Sequence, residues 1–540
     1  MSTKKLLQIP KDGWAGFKEN ISSDALSGFL VFLLAMPLSL GIAKASLFPM
    51  IFGLVTAIIG GIVVSFFMGS RLSIKGPAAG LIVIVSGSVT AFGDGEQGWH
   101  LALGAIVVAG IVQVLFGVLK LGKLADFFPS AAIHGMLAAI GIIIMAKQLH
   151  LLFGINPGDL KGKEPLELLA MLPSSIMHEN AHLAEIGIAC LLIMVVMSLV
   201  KNQKIKKIPA PLIVLAVSIP LGFALHIKTD GAISNFALVK IGSIFDAFKN
   251  GLVNVDFSGI SSHTGVFIQY VILYALIGSI ESLLTAKAMD GIDPYKRKTN
   301  FDKDIIGVGI GNTLCGIVGA LPMISEVARS SANISYGAKT RWANFWHGVF
   351  LLLAVLFAVP FIEMIPNVAL AAMLVFVGFR LAHPREFKHM YHIGLDQLII
   401  FCITILTTLA TDLLIGVGTG IVLEMAINFI HGATFKHFFK AKYEIAQTDE
   451  TIDVKLHSEL VFSNFLAVKK KLATLPKGKK VTIHLEDAKV IDHSSQVALE
   501  DFLKDYERDN GTVEITGHHE HATVSHHPKC TKKKKKMATA

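Results

Sequence analysis

The chain has 540 residues, 53% of them hydrophobic and 16% charged, with a mean hydropathy of +0.60, which excludes an ordinary soluble core and demands many membrane-spanning segments. The formal net charge of +9 has a source in the Lys and Arg that collect in the cytoplasmic loops of membrane proteins, so it makes no case for nucleic-acid binding. Four scattered cysteines, Cys190, Cys315, Cys402 and Cys530, suggest neither a disulfide framework nor thiol chemistry.

Residues 1–23 read as a cytoplasmic N-terminus, because Lys4, Lys5, Lys11 and Lys18 precede any apolar run and no cleavable signal is evident. About fourteen apolar runs follow, each on the scale of the roughly 20 residues needed to cross a bilayer. Seven fall near 24–45, 51–69, 77–92, 101–119, 129–148, 183–200 and 208–226, a first repeat over 24–226. An extracytoplasmic connection, 227–263, leads to a second repeat over 264–431, with spans near 264–286, 303–320, 323–336, 343–360, 363–380, 396–412 and 414–431. Basic residues gather at the N-terminus and at Arg71/Lys75, Lys120/Lys123, Lys201 to Lys207, Lys296 to Lys298, Lys339/Arg341, Arg380/Arg385/Lys388 and Lys436/Lys440/Lys442. These are alternate loops counted from a cytoplasmic N-terminus, so both termini are expected inside. Seven is odd, and a second group of seven must enter from the opposite face. The expected fold is therefore an α-helical polytopic membrane protein built as a 7+7 inverted repeat, the transporter plan in which broken helices form a site near the midplane.

Two stretches fit that site. Leu321 to Thr340 carries Glu326, Arg329, Asn333 and five Ser/Thr hydroxyls within twenty residues, preceded by Gly319 and interrupted by Pro322. Polar or irregular backbone at membrane depth survives only where it lines a cavity or is buried in protein. A short helix beginning there points its free N–H groups and positive dipole end at an anion, which makes Ser325, Glu326, Val327, Ala328 and Arg329 candidate anion-site residues. The inverted repeat demands an equivalent break in the third span. Gly76-Pro77-Ala78-Ala79-Gly80 supplies it, with Pro77 suited to a first helical turn and small residues allowing close approach.

Glu281 lies within the eighth span, with Ser282 and Thr285 close by at helical spacing. An unpaired carboxylate at membrane depth costs several kcal/mol, so Glu281 is the candidate coupling group for H+ or Na+, against the plainer role of a structural partner for Arg329 or Lys287. His134, Lys147 and His150 read as structural or interfacial.

After His431 the composition changes through a linker, 432–448, to a small cytoplasmic α/β domain over 449–517. There Val454/Leu456 and Val481/Ile483/Leu485 alternate as strands do, and Leu499, Phe502, Leu503 and Tyr506 share a helix face. The tail, 518–540, is rich in His and Lys; its composition resembles a metal-ligand set without a defined spacing, and the plainer expectation is a disordered segment touching anionic lipid.

The sequence resembles the SulP family of inorganic anion transporters, the sulfate-permease group. The resemblance rests on Ala35-Met-Pro37-Leu38-Ser39, Gly76-Pro77, Phe128-Pro129 with His134-Gly135, Gly278 to Glu281, Gly311-Asn312, and Arg329, Ser330, Asn333 with Gly337 to Thr340. It implies a core domain (spans 1–4 and 8–11) moving against a gate domain (spans 5–7 and 12–14), Leu38 and Ser39 lining the site from the first span, and a homodimer. Val490-Ile-Asp492-His-Ser494-Ser495 resembles the STAS domain found at SulP C-termini, making Asp492 and Ser494 candidate regulatory positions, against a plain helix cap at Ser494. The chain departs from the family pattern at Glu326, where an uncharged residue is common. The expected function is secondary active transport of a small inorganic anion, sulfate or bicarbonate, coupled to H+ or Na+, in a bacterial inner membrane. The alternative is an exchanger or channel of the same fold for chloride, bicarbonate or dicarboxylate. No enzyme, resident metal or cofactor is expected beyond a candidate Na+ near Glu281.

Overall fold

The computed structural model describes residues 9–535 apart from 123–128, 161–162, 203–204, 206–207, 229–232, 247–248, 250–253, 473 and 509–510. Lys4, Lys5, Lys123, Phe128, Lys536 and part of the Lys201 to Lys207 run lie outside the described residues. The chain forms two compact units, Met1–Ala125 with Ile140–Leu381 and Asp126–Ala139 with Ala382–Ala540.

In the first unit, helices occupy the stretches that hydropathy marks: Gly13–Ala45, Met50–Ile62 continued by Val64–Phe67, Gly95–Val118, Ala181–Leu199, Ala210–Ala224, Thr264–Ile292, Phe301–Ile317, Trp342–Phe357 and Asn367–Leu381. Among the described residues of the whole chain, eight helices are long and apolar enough to cross a membrane, and shorter apolar helices lie between them. Side chains at several N-termini accept an otherwise unpaired N–H, as Asn180 does from Leu183 and Asn300 from Lys303. The first helix starts at Gly13, earlier than its apolar run. Asp12 accepts from Arg341, and Trp342 Nε1 donates to the Gly13 carbonyl at 2.9 Å, so this exposed end is tied down by hydrogen bonds. A further helix, Pro165–Met177, was not evident from hydropathy.

The same helix pairings recur in the two halves. The first span lies against the tenth and eleventh as the eighth lies against the third and fourth, and the second crosses the eleventh as the ninth crosses the fourth. The latter crossings place Gly61 on Gly348 and Gly110 on Gly309. The third and tenth elements differ from the rest. Each is a short helix, Ile82–Ala91 and Val327–Ser335, entered through a short strand, Ile74–Gly76 and Ile324–Glu326. The tenth ends at Gly337, whose φ of +91° lets the Ala338 N–H turn back to the Asn333 carbonyl.

The second unit holds Pro384–Ile393, Leu395–Ala410 and Leu413–Ile430, the start of the Ser130–Leu152 helix, and the C-terminal domain. That domain has a four-stranded sheet in the order Tyr443–Gln447, Thr451–Leu456, Lys480–His484, Thr512–Thr516. Its first pair is antiparallel and the next two are parallel. The parallel pairs need crossovers, which Phe462–Leu472 and His493–Arg508 supply. Val454, Val481 and Ile483, the inward positions of the alternating strands, are buried against Phe465 and Leu499.

The tail differs from expectation. Residues 518–535 are folded: Lys532–Lys534 pairs with Val490–Ile491 on one side and His521–Thr523 on the other. The physical reason is local satisfaction of polar groups. Both ring nitrogens of His521 meet backbone carbonyls, of Gly517 and Ala488, Thr531 donates to Asp396 at 2.8 Å, and Cys530 is buried.

Candidate functional site

The two strands that open the broken helices pair antiparallel, with Ile74 opposite Glu326, Lys75 opposite Ser325 and Gly76 opposite Ile324. They thereby satisfy each other's backbone inside the bundle, which is what permits extended chain at that depth. The pairing sets the two short helices with their N-terminal ends at one crossing. Gly76, Pro77, Ala78, Ala79 and Gly80 are all buried there, and the third-span helix has no side-chain cap.

Most polar side chains of the tenth segment are used to hold this crossing. Ser330 Oγ accepts the Ile74 N–H at 2.9 Å and donates to the Glu326 carbonyl. Asn333 donates to the Leu72 carbonyl and accepts from Ser27. Thr340 and Lys339 are tied to Asp24 of the first helix. Ser325 is fully buried and bonds Ser282 Oγ at 2.9 Å through its hydroxyl and at 3.2 Å through its N–H. Val327 is exposed and Ala328 half-buried, so neither offers the crossing more than its backbone.

Arg329 is the exception. It is completely buried, yet its Nε, Nη1 and Nη2 have no hydrogen-bond partner among the described residues. A Cβ placed on Gly76 would meet Arg329 Nη1 first, so the guanidinium is aimed at the third-span break. Glu326 is the N-cap of the tenth helix: its Oε2 accepts the Arg329 N–H at 2.6 Å and lies 3.9 Å from Arg329 Nε. Glu281 reaches the same crossing from the eighth span. Both its carboxylate oxygens lie where a Cβ on Gly80 would go, and its Oε1 is buried without a partner among the described residues. Ser282 and Thr285 are buried beside it on the same helix.

Sequence reasoning missed the ion pair beneath the crossing. Lys75, expected among cytoplasmic loop charges, sits on the buried strand with its Nζ 2.6 Å from Asp304 Oδ2 and bonded to Ser325 Oγ. Burial is tolerated because the charge is paired and Asp304 also accepts from the Ser70 N–H and hydroxyl. Asp304 was findable, since it lies inside the predicted ninth span, where an acid is informative by the reasoning applied to Glu281. Leu38 and Ser39 are buried in the first helix, with the Ser39 carbonyl close against Gly53 and the Ser39 hydroxyl without a hydrogen-bond partner among the described residues. In the second unit, Asp492 rather than Ser494 caps its helix, accepting the Ser495 N–H at 2.7 Å, while Ser494 Oγ accepts the Ser130 N–H at 3.1 Å.

Two inverted half-helices meeting over a buried strand pair, within a bundle of apolar helices, define an integral membrane protein of the transporter class. The chain belongs to the sulfate permease family, whose pattern matches residues 21–404, and a STAS domain follows over 442–523. It is 27% identical over 508 residues to YvdB of Bacillus subtilis (strain 168), covering 92% of each chain. It is 26% identical over 407 residues to the bicarbonate transporter BicA of a Picosynechococcus species, covering 74% of this chain and 69% of that one. Its fold is similar to the transmembrane domain of a cyanobacterium bicarbonate transporter BicA, with a TM-score of 0.63 at 22% identity over 75% of this chain and 98% of that chain.

Proposed function

We propose that the chain is a secondary active transporter of a small inorganic anion, sulfate or bicarbonate, coupled to H+ or Na+ through Glu281. Its core, spans 1–4 and 8–11, moves against its gate, spans 5–7 and 12–14. The protein works as a homodimer in a bacterial inner membrane, in contact with lipid and with both termini cytoplasmic. The observation that carries this reading is Arg329, a fully buried guanidinium whose three side-chain nitrogens lack hydrogen-bond partners among the described residues. Such a group left alone costs several kcal/mol. An anion between Gly76–Gly80 and Ser325–Arg329 satisfies it, with the N–H groups and dipoles of both half-helices adding to the attraction.

Glu281 supports coupling. It lies on a continuous helix at the edge of that crossing, so an ion bound there affects the anion electrostatically without occupying the helix ends. The family's name supports sulfate as a substrate, and the relatives' names support bicarbonate. Purified protein in liposomes, offered labelled sulfate, bicarbonate and chloride with imposed proton or sodium gradients, tests the reading. Accumulation of one anion against its gradient, driven by one of the two cations, is expected. Passive, gradient-independent flux would overturn the coupled mechanism.

A further inference from the structure

The charges around the crossing can be counted. Lys75 and Asp304 neutralise each other at 2.6 Å. Arg329 is opposed by Glu326, whose carboxylate lies 3.9 Å from its Nε and holds its backbone N–H at 2.6 Å. Glu281 becomes neutral when it carries its coupling cation. The remaining positive field comes from the two helix N-termini, about half a unit charge each, so the surplus offered to a substrate is about one unit. The ten-residue Ile82–Ala91 helix has no side-chain cap, whereas the nine-residue Val327–Ser335 helix is capped by Glu326. A carboxylate thus already occupies one of the donors that an anion would use at the tenth helix, and stands next to the only cation at the crossing, among the described residues, that no other acid pairs at hydrogen-bond distance.

We infer that Glu326 is a specificity-determining residue that tunes the site to a monovalent oxyanion, hydrogencarbonate rather than sulfate. The inference rests on the transporter reading and narrows its substrate. A singly charged oxyanion matches the surplus and leaves the crossing neutral. A dianion leaves one negative charge unmatched beside a fixed carboxylate, in surroundings where unit charges interact several times more strongly than in water. Glu326 also restricts the donors: with the Arg329 N–H taken, a substrate at the tenth helix meets the Val327 and Ala328 N–H groups and the guanidinium face turned toward Gly76. A planar, three-oxygen anion suits that set better than a tetrahedral one seeking donors on all sides.

The test compares labelled hydrogencarbonate and labelled sulfate uptake by the full-length protein in liposomes, for the native chain, Glu326→Gln and Glu326→Asp. Gln keeps an oxygen for the Arg329 N–H and removes the charge, so the cap persists; Asp keeps the charge. The native protein is expected to prefer hydrogencarbonate by at least tenfold in apparent affinity, Glu326→Gln to shift the ratio toward sulfate by tenfold or more, and Glu326→Asp to retain the native preference. Equal affinity of the native protein for both anions, or an unchanged ratio in a folded Glu326→Gln, overturns the inference while leaving anion transport standing. A native protein that moves neither anion overturns the transporter reading and the filter with it.

Discussion

Lys75 Nζ lies 2.6 Å from Asp304 Oδ2, and neither side chain reaches solvent. The pair ties the strand that opens the third span to the ninth helix, and through Ser325 it reaches the strand that opens the tenth. Removing one member strands the other charge, and removing Asp304 also strands the Gly69 and Ser70 N–H groups that donate to it. Asp304→Ala is expected to cost about 3 to 5 kcal/mol of stability. Lys75→Met with Asp304→Leu should cost far less than the sum of the single changes, read by thermal unfolding in detergent as a double-mutant cycle. Additive effects would show that the two charges do not act as a pair.

Gly80 faces both carboxylate oxygens of Glu281, which occupy the place of its missing Cβ. Even Gly80→Ala forces the carboxylate or the half-helix to move, and a displacement on the order of 1 Å at a reacting or binding group costs roughly 100-fold. Cation-driven uptake should fall by about that factor, with Gly80→Leu worse and the protein still eluting as a folded species. Native uptake in Gly80→Ala would separate the position of Glu281 from transport.

Glu281→Gln preserves the shape of the side chain and removes its charge. Accumulation against a gradient is expected to vanish while exchange of anion across the membrane survives, because the helix ends and Arg329 are untouched. Glu326→Gln should do the reverse, keeping accumulation and altering which anion is taken. Gradient-driven uptake that persists in Glu281→Gln and disappears in Glu326→Gln would exchange the roles of the two acids.

Hydropathy carried most of the fold, because membrane depth restricts the chain to helices. The two breaks were legible for a related reason: Gly76-Pro77 and the polar run around Arg329 violate the apolar rule, and such violations mark cavities. What the sequence left open is pairing. Nothing in local pattern says that Ile74–Gly76 and Ile324–Glu326 form one ladder, so Lys75 looked like a loop charge until its strand was seen beside Ser325. The folded tail was hidden likewise, since Lys532–Lys534 gains order from partners at Val490 and His521 rather than from its own composition.

Asp492 supplies a prediction in pH. It is buried, with Oδ1 accepting the Ser495 N–H and Oδ2 accepting the Phe462 N–H at 2.6 Å and Asn428 Nδ2 at 3.3 Å. The same Asn428 amide lies 3.4 Å from Glu424, which Gln397 also contacts, and Asp396 stands nearby. Burial pushes the Asp492 carboxyl up to about 6, against the pull of its hydrogen bonds from Ser495 and Phe462. A folded value above the unfolded one means that the folded state holds the proton longer. This contribution is fully present below pH about 4, is lost as pH rises through about 6, and is flat above. His493, whose imidazole burial pushes down, carries the opposite slope, so the readout is a difference. Hydrogen-exchange protection of the segments around Phe462 and Ser495, corrected for intrinsic rates, is measured from pH 4.5 to 8 for the native chain and Asp492→Asn. His493 is present in both, so the difference reports Asp492 together with the neighbouring Glu424 carboxylate that it repels. Relative to Asn, the native chain should lose protection between about pH 4.5 and 6.5, by up to roughly 3 kcal/mol over the full titration, and then level off. Parallel curves for the two proteins across that window would mean that Asp492 does not titrate there.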